Sequence, residues 1–211
     1  MHTLDSRFLN LTNCFSYRFS APGTFRYDLS PLPTGLADED DDARAIVVAD
    51  REGGTQQQHH ITVARVDGEL TATPARLEVN RGDLVTWSTD GTTGTGFAVR
   101  GAIGKTVVDS AALCDESVYT HAFGLPGTYE WADANGSGLR GVVRVAAPEP
   151  RAQKANGRRT QWQRALARGT LVHVRGAAAE PAEVEIQVGQ TVFWAVQDAP
   201  GVTITDVSLL R

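Results

Sequence analysis

Apolar and polar residues alternate along much of this chain with a period of two. Arg76-Leu77-Glu78-Val79-Asn80 sets Leu77 and Val79 on one face and its polar residues on the other. Arg81-Gly82-Asp83 interrupts the run, and Leu84-Val85-Thr86-Trp87 resumes it; the stretch from Glu183 to Trp194 reads the same way. Such alternation bounded by glycine turns predicts half-buried strands of an antiparallel sandwich. Pro22-Gly23 and Pro126-Gly127 predict tight turns, because proline presets φ and glycine accepts positive φ. Residues 45–48 and 141–145 predict closing strands, and only 159–168 carries a helical pattern, a weak one.

The pattern also recurs at long range. A shift of 104 positions lays Leu4-Asp5-Ser6 on Val108-Asp109-Ser110, Phe15 on Tyr119, and Phe19 on Phe123. The same shift lays Pro22-Gly23-Thr24-Phe25 on Pro126-Gly127-Thr128-Tyr129, and Tyr27 on Trp131. A shift of 107 lays Pro74 on Pro181, Gly82 on Gly189 and Trp87 on Trp194. An ungapped match that carries Asp-Ser, Pro-Gly-Thr and several aromatic positions predicts an internal repeat. Residues 1–50 match the second half of a unit, 60–147 make a whole unit, and 168–211 match the first half. The expected organisation is therefore a complete domain at 60–147, a circularly permuted domain built from 1–50 plus 168–211, and a basic linker at 148–167. Residues 205–211 followed by 1–4 span about what 99–108 spans in the complete copy, so the two chain ends are expected to meet.

Leu77 to Trp87 (LEVNRGDLVTW), then VVDS, YTHAFGLPGTYEW and GLRGVVRV, together resemble the cupredoxins, the small blue copper proteins, and their halocyanin-like branch in particular. The resemblance covers nearly the whole complete copy and, reordered, most of the other. It implies an all-β fold of two cupredoxin-like Greek-key β-sandwiches. It also implies copper held by two histidines, a cysteine and usually a methionine, a soft donor set suited to that metal. This chain departs from the pattern at each of those positions. Thr95-Gly96 stands where the first histidine belongs, Ala132-Asp133 at the cysteine, Gly136 near the second histidine and Leu139 at the axial methionine. The permuted copy has no Cys, His or Met from Asp28 to Arg44, and none beside Pro200-Gly201. The expectation is a fold retained and its copper lost: no catalytic, cofactor-binding or metal residues, and no cofactor.

Other candidates carry little chemistry. His59-His60 are neighbours that would point to opposite faces of a strand, with no third ligand at useful spacing, and read as linker residues rather than a metal pair. His121 falls where the halocyanin-like pattern has a non-ligand histidine; His173 stands alone in a strand. Cys14 and Cys114 have no motif-placed base and read as buried small residues. Asp5-Ser6 and Asp109-Ser110 read as turns whose side chains bond nearby backbone N–H groups, not as a hydrolase serine. The acidic run Asp38 to Asp42 lacks a calcium-loop pattern and reads as a solvated loop. Arg151, Lys154, Arg158, Arg159, Arg164, Arg168 and Arg175, with Trp162 among them, form an acid-free basic stretch. It could meet nucleic acid through phosphate neutralisation and stacking, but a linker packed on its own protein is the preferred reading.

Composition narrows the classes further. The 211 residues are 41% apolar and 21% charged, with a net charge of -5, which suits folded domains and not a disordered chain. Two cysteines cannot build a disulfide framework. No apolar run approaches the roughly 20 residues of a membrane span, and residues 1–10 lack a leader pattern, so a cytoplasmic or virion location is expected. Five histidines, none as His-x-His, argue against a multicopper oxidase. The functional expectation is a non-enzymatic structural or binding protein whose partners are proteins or further copies of itself. A half-sandwich at each chain end could pair between molecules, which would suit a virion or another assembled particle. The alternative is a copper-binding electron carrier of the halocyanin type.

Overall fold

The computed structural model describes residues 3–31, 43–51, 55–94, 96–147, 168–199 and 201–210. Those residues are all-β. The strands, in chain order, are β1 (Asn13–Arg18), β2 (Gly23–Ser30), β3 (Ala45–Ala49), β4 (Gln58–Val66), β5 (Glu69–Thr73), β6 (Arg76–Asn80), β7 (Leu84–Thr89), β8 (Ala98–Ile103) and β9 (Thr106–Asp109). They continue with β10 (Ser117–Ala122), β11 (Gly127–Asp133), β12 (Arg140–Ala146), β13 (Thr170–Arg175), β14 (Ala178–Glu180), β15 (Glu183–Gln187), β16 (Thr191–Gln197) and β17 (Ile204–Asp206). One 3-10 turn, Val207–Leu209, follows β17.

Three sheets result. The largest runs β14-β13-β16-β10-β1-β7-β4-β5; a second runs β6-β3-β2-β8-β9 and a third β15-β12-β11-β17. In the large sheet β1 pairs antiparallel with β10, and Phe15 lies opposite Tyr119, the two positions that the 104-residue shift superimposes. Asn13 lies opposite His121 and Tyr17 opposite Ser117, so the ladder maps onto itself when its two strands are exchanged. Strands β1 and β10 also share one alternation of buried and half-buried positions. The eight strands are thus two four-stranded halves joined at a two-fold-like seam.

A row of rings crosses that seam. Trp87 faces Phe15, Phe15 faces Tyr119, and Tyr119 faces Trp194 on neighbouring strands, and none of the four is exposed. The smaller sheets pack against this row. Phe25 and Tyr27 of β2 meet Trp87 edge-on at centroid distances of 6.2 and 5.6 Å. Trp131 of β11 meets Trp194 at 5.9 Å. The alternation in the sequence is what makes this possible, since every second side chain of a strand reaches the same face.

The pairing of halves differs from the sequence expectation. Strand β3 runs parallel to β6, not β15, and β2 takes β8 as its neighbour. Strand β12 runs parallel to β15, and β11 takes β17. Residues 13–49 therefore complete their sheets with 58–109, and 117–146 with 170–206, in place of 1–50 with 168–211. The physical reason is chain entropy. Both candidate partners offer the same apolar pattern, and the nearer one costs less loop closure. The expected meeting of the chain ends does occur near the termini: Asp5 bridges Thr205, as Asp109 pairs with Arg100 in β8–β9. His59 and His60 lie within β4 and not in a linker. The basic residues Arg151, Lys154, Arg158, Arg159 and Arg164, with Trp162, and the acidic run Asp38 to Asp42, lie outside the described residues.

Candidate functional site

Three of the positions that the resemblance assigns to copper ligands, Ala132-Asp133, Gly136 and Leu139, lie together at one end of the second half, whereas Gly96 lies in the first half. Strand β11 ends at Asp133, the chain turns through Gly136, and Leu139 leads into β12. Asp133 is 5% exposed. Its Oδ1 accepts from the backbone N–H of Thr203 at 2.8 Å and of Asn135 at 3.1 Å, and its Oδ2 from that of Ser137 at 3.2 Å. Burial alone would push its pKa up. The Thr203 N–H, the Ser137 side chain and the N–H groups of Asn135 and Ser137 outweigh it and hold the carboxyl below its ordinary value. Asn135 Nδ2 donates to the Gly201 carbonyl and to Thr203 Oγ1, both at 3.3 Å. Leu139 is buried at 1% exposure, and its carbonyl accepts from the Asp133 N–H at 2.9 Å.

This set does not fit copper. No thiolate, imidazole or thioether stands among these residues, and the one carboxylate is committed to backbone donors. Gly96, beside the position of the first histidine in the other half, has φ +94°, and a Cβ there would sit 2.9 Å from the Leu9 carbonyl oxygen. The backbone therefore excludes a side chain at that position. Thr95 and Pro200 lie outside the described residues. In the first half Asp28 pairs with Arg44 at 3.0 Å, and Leu29 takes the place that Asp133 holds in the second. Among the described residues no group of three or more His, Cys, Asp or Glu is placed to hold a metal ion.

A second concentration of polar groups lies where the two halves meet. Arg18, Arg51, Arg81, Asp83 and Glu116 line an open cleft of about 680 Å³. Most of its charge is internally spent. Arg18 pairs with Glu116 across the seam at 2.5 Å, and Arg81 with Asp50 at 3.3 Å. Asp83, 2% exposed, accepts from the N–H groups of Gln57 and Asn80, both at 2.9 Å, and lies 3.0 Å from His59 Nε2. Burial raises its pKa, but those backbone bonds and His59 together lower it on balance. The 107-residue shift matches Asp83 with Gln190, whose Oε1 accepts from the Gln187 N–H at 2.7 Å, so the corresponding turns of the two halves are pinned alike. Sequence reading missed Asp83 and Asp133 as anchors; the visible signal was an acidic residue directly after a turn glycine or a strand end.

The remaining candidates have structural surroundings. Asp109 Oδ1 accepts from the Ala111 N–H at 2.7 Å and Ser110 Oγ from that of Val99 at 3.0 Å. Asp5 Oδ1 accepts from the Arg7 N–H at 3.0 Å and Ser6 Oγ from that of Ile204 at 3.1 Å. His60 Nε2 lies 2.8 Å from Ser88 Oγ. His121 is buried edge-on against Phe123 at 4.7 Å, and His173 is half-buried in β13 beside Ala195. Cys14 and Cys114 are free, half-buried thiols, and burial pushes both pKa values up. Since only the thiolate attacks, both are expected to react with iodoacetamide at pH 7 at least about tenfold more slowly than a free cysteine peptide. Alkylation at the peptide's rate, followed by mass spectrometry, would refute that.

No protein-family model, no curated protein and no solved structure matches this chain. No helix among the described residues is long and apolar enough to cross a membrane.

Proposed function

We propose that this chain is a copper-free, non-enzymatic protein of cupredoxin-like architecture. It consists of two copies of one Greek-key unit and serves as a structural or binding module. Protein partners or further copies of itself are its ligands, as in a virion or another assembled particle. One observation carries the reading: where a copper protein of this type would need its cysteine, Asp133 spends both carboxylate oxygens on backbone N–H groups and ties β11 to the 201–205 segment. A side chain that fastens two loops together has become part of the frame. Two further features support it. Gly96 backs directly onto the Leu9 carbonyl, and in the open cleft between the halves Arg18 and Arg81 are engaged in ion pairs with Glu116 and Asp50.

The test is direct. Purified chain dialysed against excess Cu(II) is expected to retain no stoichiometric copper by elemental analysis and to show no intense thiolate-to-copper band in the visible spectrum. One copper per chain with that band would replace this reading by electron transfer. Light scattering over a wide concentration range addresses the second part, in which self-association is expected to grow with concentration.

A further inference from the structure

The extended segment Leu4–Ser6, bridged to Thr205 through Asp5, crosses from one half of the molecule to the other. Leu4 is 1% exposed and Ser6 is fully buried against the second half. The Ser6 N–H donates to the Ile204 carbonyl at 2.9 Å, and the Asp206 N–H to the Leu4 carbonyl at 2.8 Å. Ser6 Oγ accepts from the Ile204 N–H, and Thr205 Oγ1 donates to Asp5 Oδ1 at 3.4 Å. Three residues further on, Leu9 is fully buried in the first half and exchanges backbone bonds with Phe97 at 2.7 and 2.9 Å. Only Arg7 and Phe8 separate Ser6 from Leu9, and Arg7 grips Asp5 through Nε at 2.9 Å and a terminal nitrogen at 2.8 Å.

The first half solves the same problem differently. There Val108 to Ser110 fill the matching slot beside β8, and a tight turn from Ile103 to Thr106 ties them covalently to it. In the second half the filling segment lies almost two hundred residues away in the chain from the edge it completes. Among the described residues it is held there by the burial of Leu4, Asp5 and Ser6 and by hydrogen bonds to residues 204–206, with no covalent turn beside it.

We propose that Leu4–Ser6 is an exchangeable donor strand, and that the slot beside β17 accepts the same segment from a second copy of this chain. The proposal rests on the self-association part of the reading above and names its surface. The contacts of Leu4–Ser6 itself are the same within one chain and between two, but only two residues join it to Leu9, so exchange also requires the Leu9–Phe97 bonds to open. A tethered strand has an effective concentration of order millimolar, so exchange requires crowded chains or prior release of the strand. Edge addition with an apolar anchor is an established way for one chain to complete another's sheet, and the contact is heterologous unless the exchange is reciprocal.

The experiment uses the full chain carrying Leu4→Asp, which cannot bury residue 4 and so vacates its own slot. A labelled peptide of residues 1–10 is titrated against it and against the unaltered chain by fluorescence anisotropy. Peptide binding is expected to be roughly tenfold or more tighter to the variant, because a slot filled from within is available only for a small fraction of the time. The peptide carrying Leu4→Asp is expected not to bind either chain. A variant that keeps its far-ultraviolet circular dichroism and ignores the peptide overturns the proposal. Should the variant not fold, hydrogen exchange on the unaltered chain decides. The Ser6 and Asp206 amides are expected to exchange at least tenfold faster than those of the β1–β10 ladder, and equal protection overturns exchange. A strict monomer by light scattering at every concentration would refute the self-association reading, whereas a folded variant that ignores the peptide refutes the donor segment alone, so the two failures are distinguishable.

Discussion

Replacing Trp87 by alanine is expected to lower the unfolding free energy by about 3–5 kcal/mol, the range for deleting a large buried aromatic side chain. Trp87 is fully buried and touches rings from two sheets: Phe15 at 5.6 Å, Phe25 at 6.2 Å and Tyr27 at 5.6 Å. The void would open between the layers, where the rigid ladders on either side collapse poorly. Trp194→Ala is expected to cost a similar amount, since it holds Tyr119 and Trp131 in the same manner. The diagnostic feature is cooperativity. Because β1 and β10 make the large sheet continuous, each substitution is expected to shift one common denaturant transition. Two resolved transitions, only one of which moves in each variant, would show that the seam does not couple the halves.

Asp133→Asn is expected to destabilise the protein by about 1–3 kcal/mol at pH 7, the cost of weakening a buried acceptor of several N–H groups. The pH dependence has a definite sign. The folded carboxyl titrates below its unfolded value near 4. Its stabilisation is therefore complete above about pH 4 and is lost as pH falls through the lower folded value. The gap between the two proteins is expected to narrow steadily as the medium is acidified below pH 4. Asp83 contributes in the same direction, so the variant stays acid-sensitive, only less so. Urea unfolding at pH 7 and pH 3 measures both quantities. Equal losses in the two proteins between those values would remove Asp133 from its anchoring role.

Much of the candidate site could be read in advance as an absence of donors. Ala132, Asp133, Gly136 and Leu139 are visible in the sequence, and no arrangement of them supplies a thiolate or imidazole. What they do instead was not visible. That Asp133 reaches Thr203 depends on the second half closing through residues seventy positions away, and no periodicity encodes it. Cys14 and Cys114 read as buried small residues, whereas the structure leaves both half-buried, enough to push their pKa values up. The linker reading of His59 and His60 failed because their strand alternates polar residues at its start, where solvent reaches both faces of β4.

The linear order of residues by itself determined the strands, their turns and the correspondence between positions 104 and 107 apart, because these follow from local backbone preference and the two-residue period of a pleated strand. It determined also that the chain ends should meet, and Asp5 beside Thr205 is that meeting. Which half joins which was decided only in three dimensions. Residues 45–49 can satisfy β6 or β15 equally well by pattern, and the shorter closure wins. The seam was likewise out of reach: Phe15 and Tyr119 are buried because β1 and β10 pair edge to edge and leave no open strand between them.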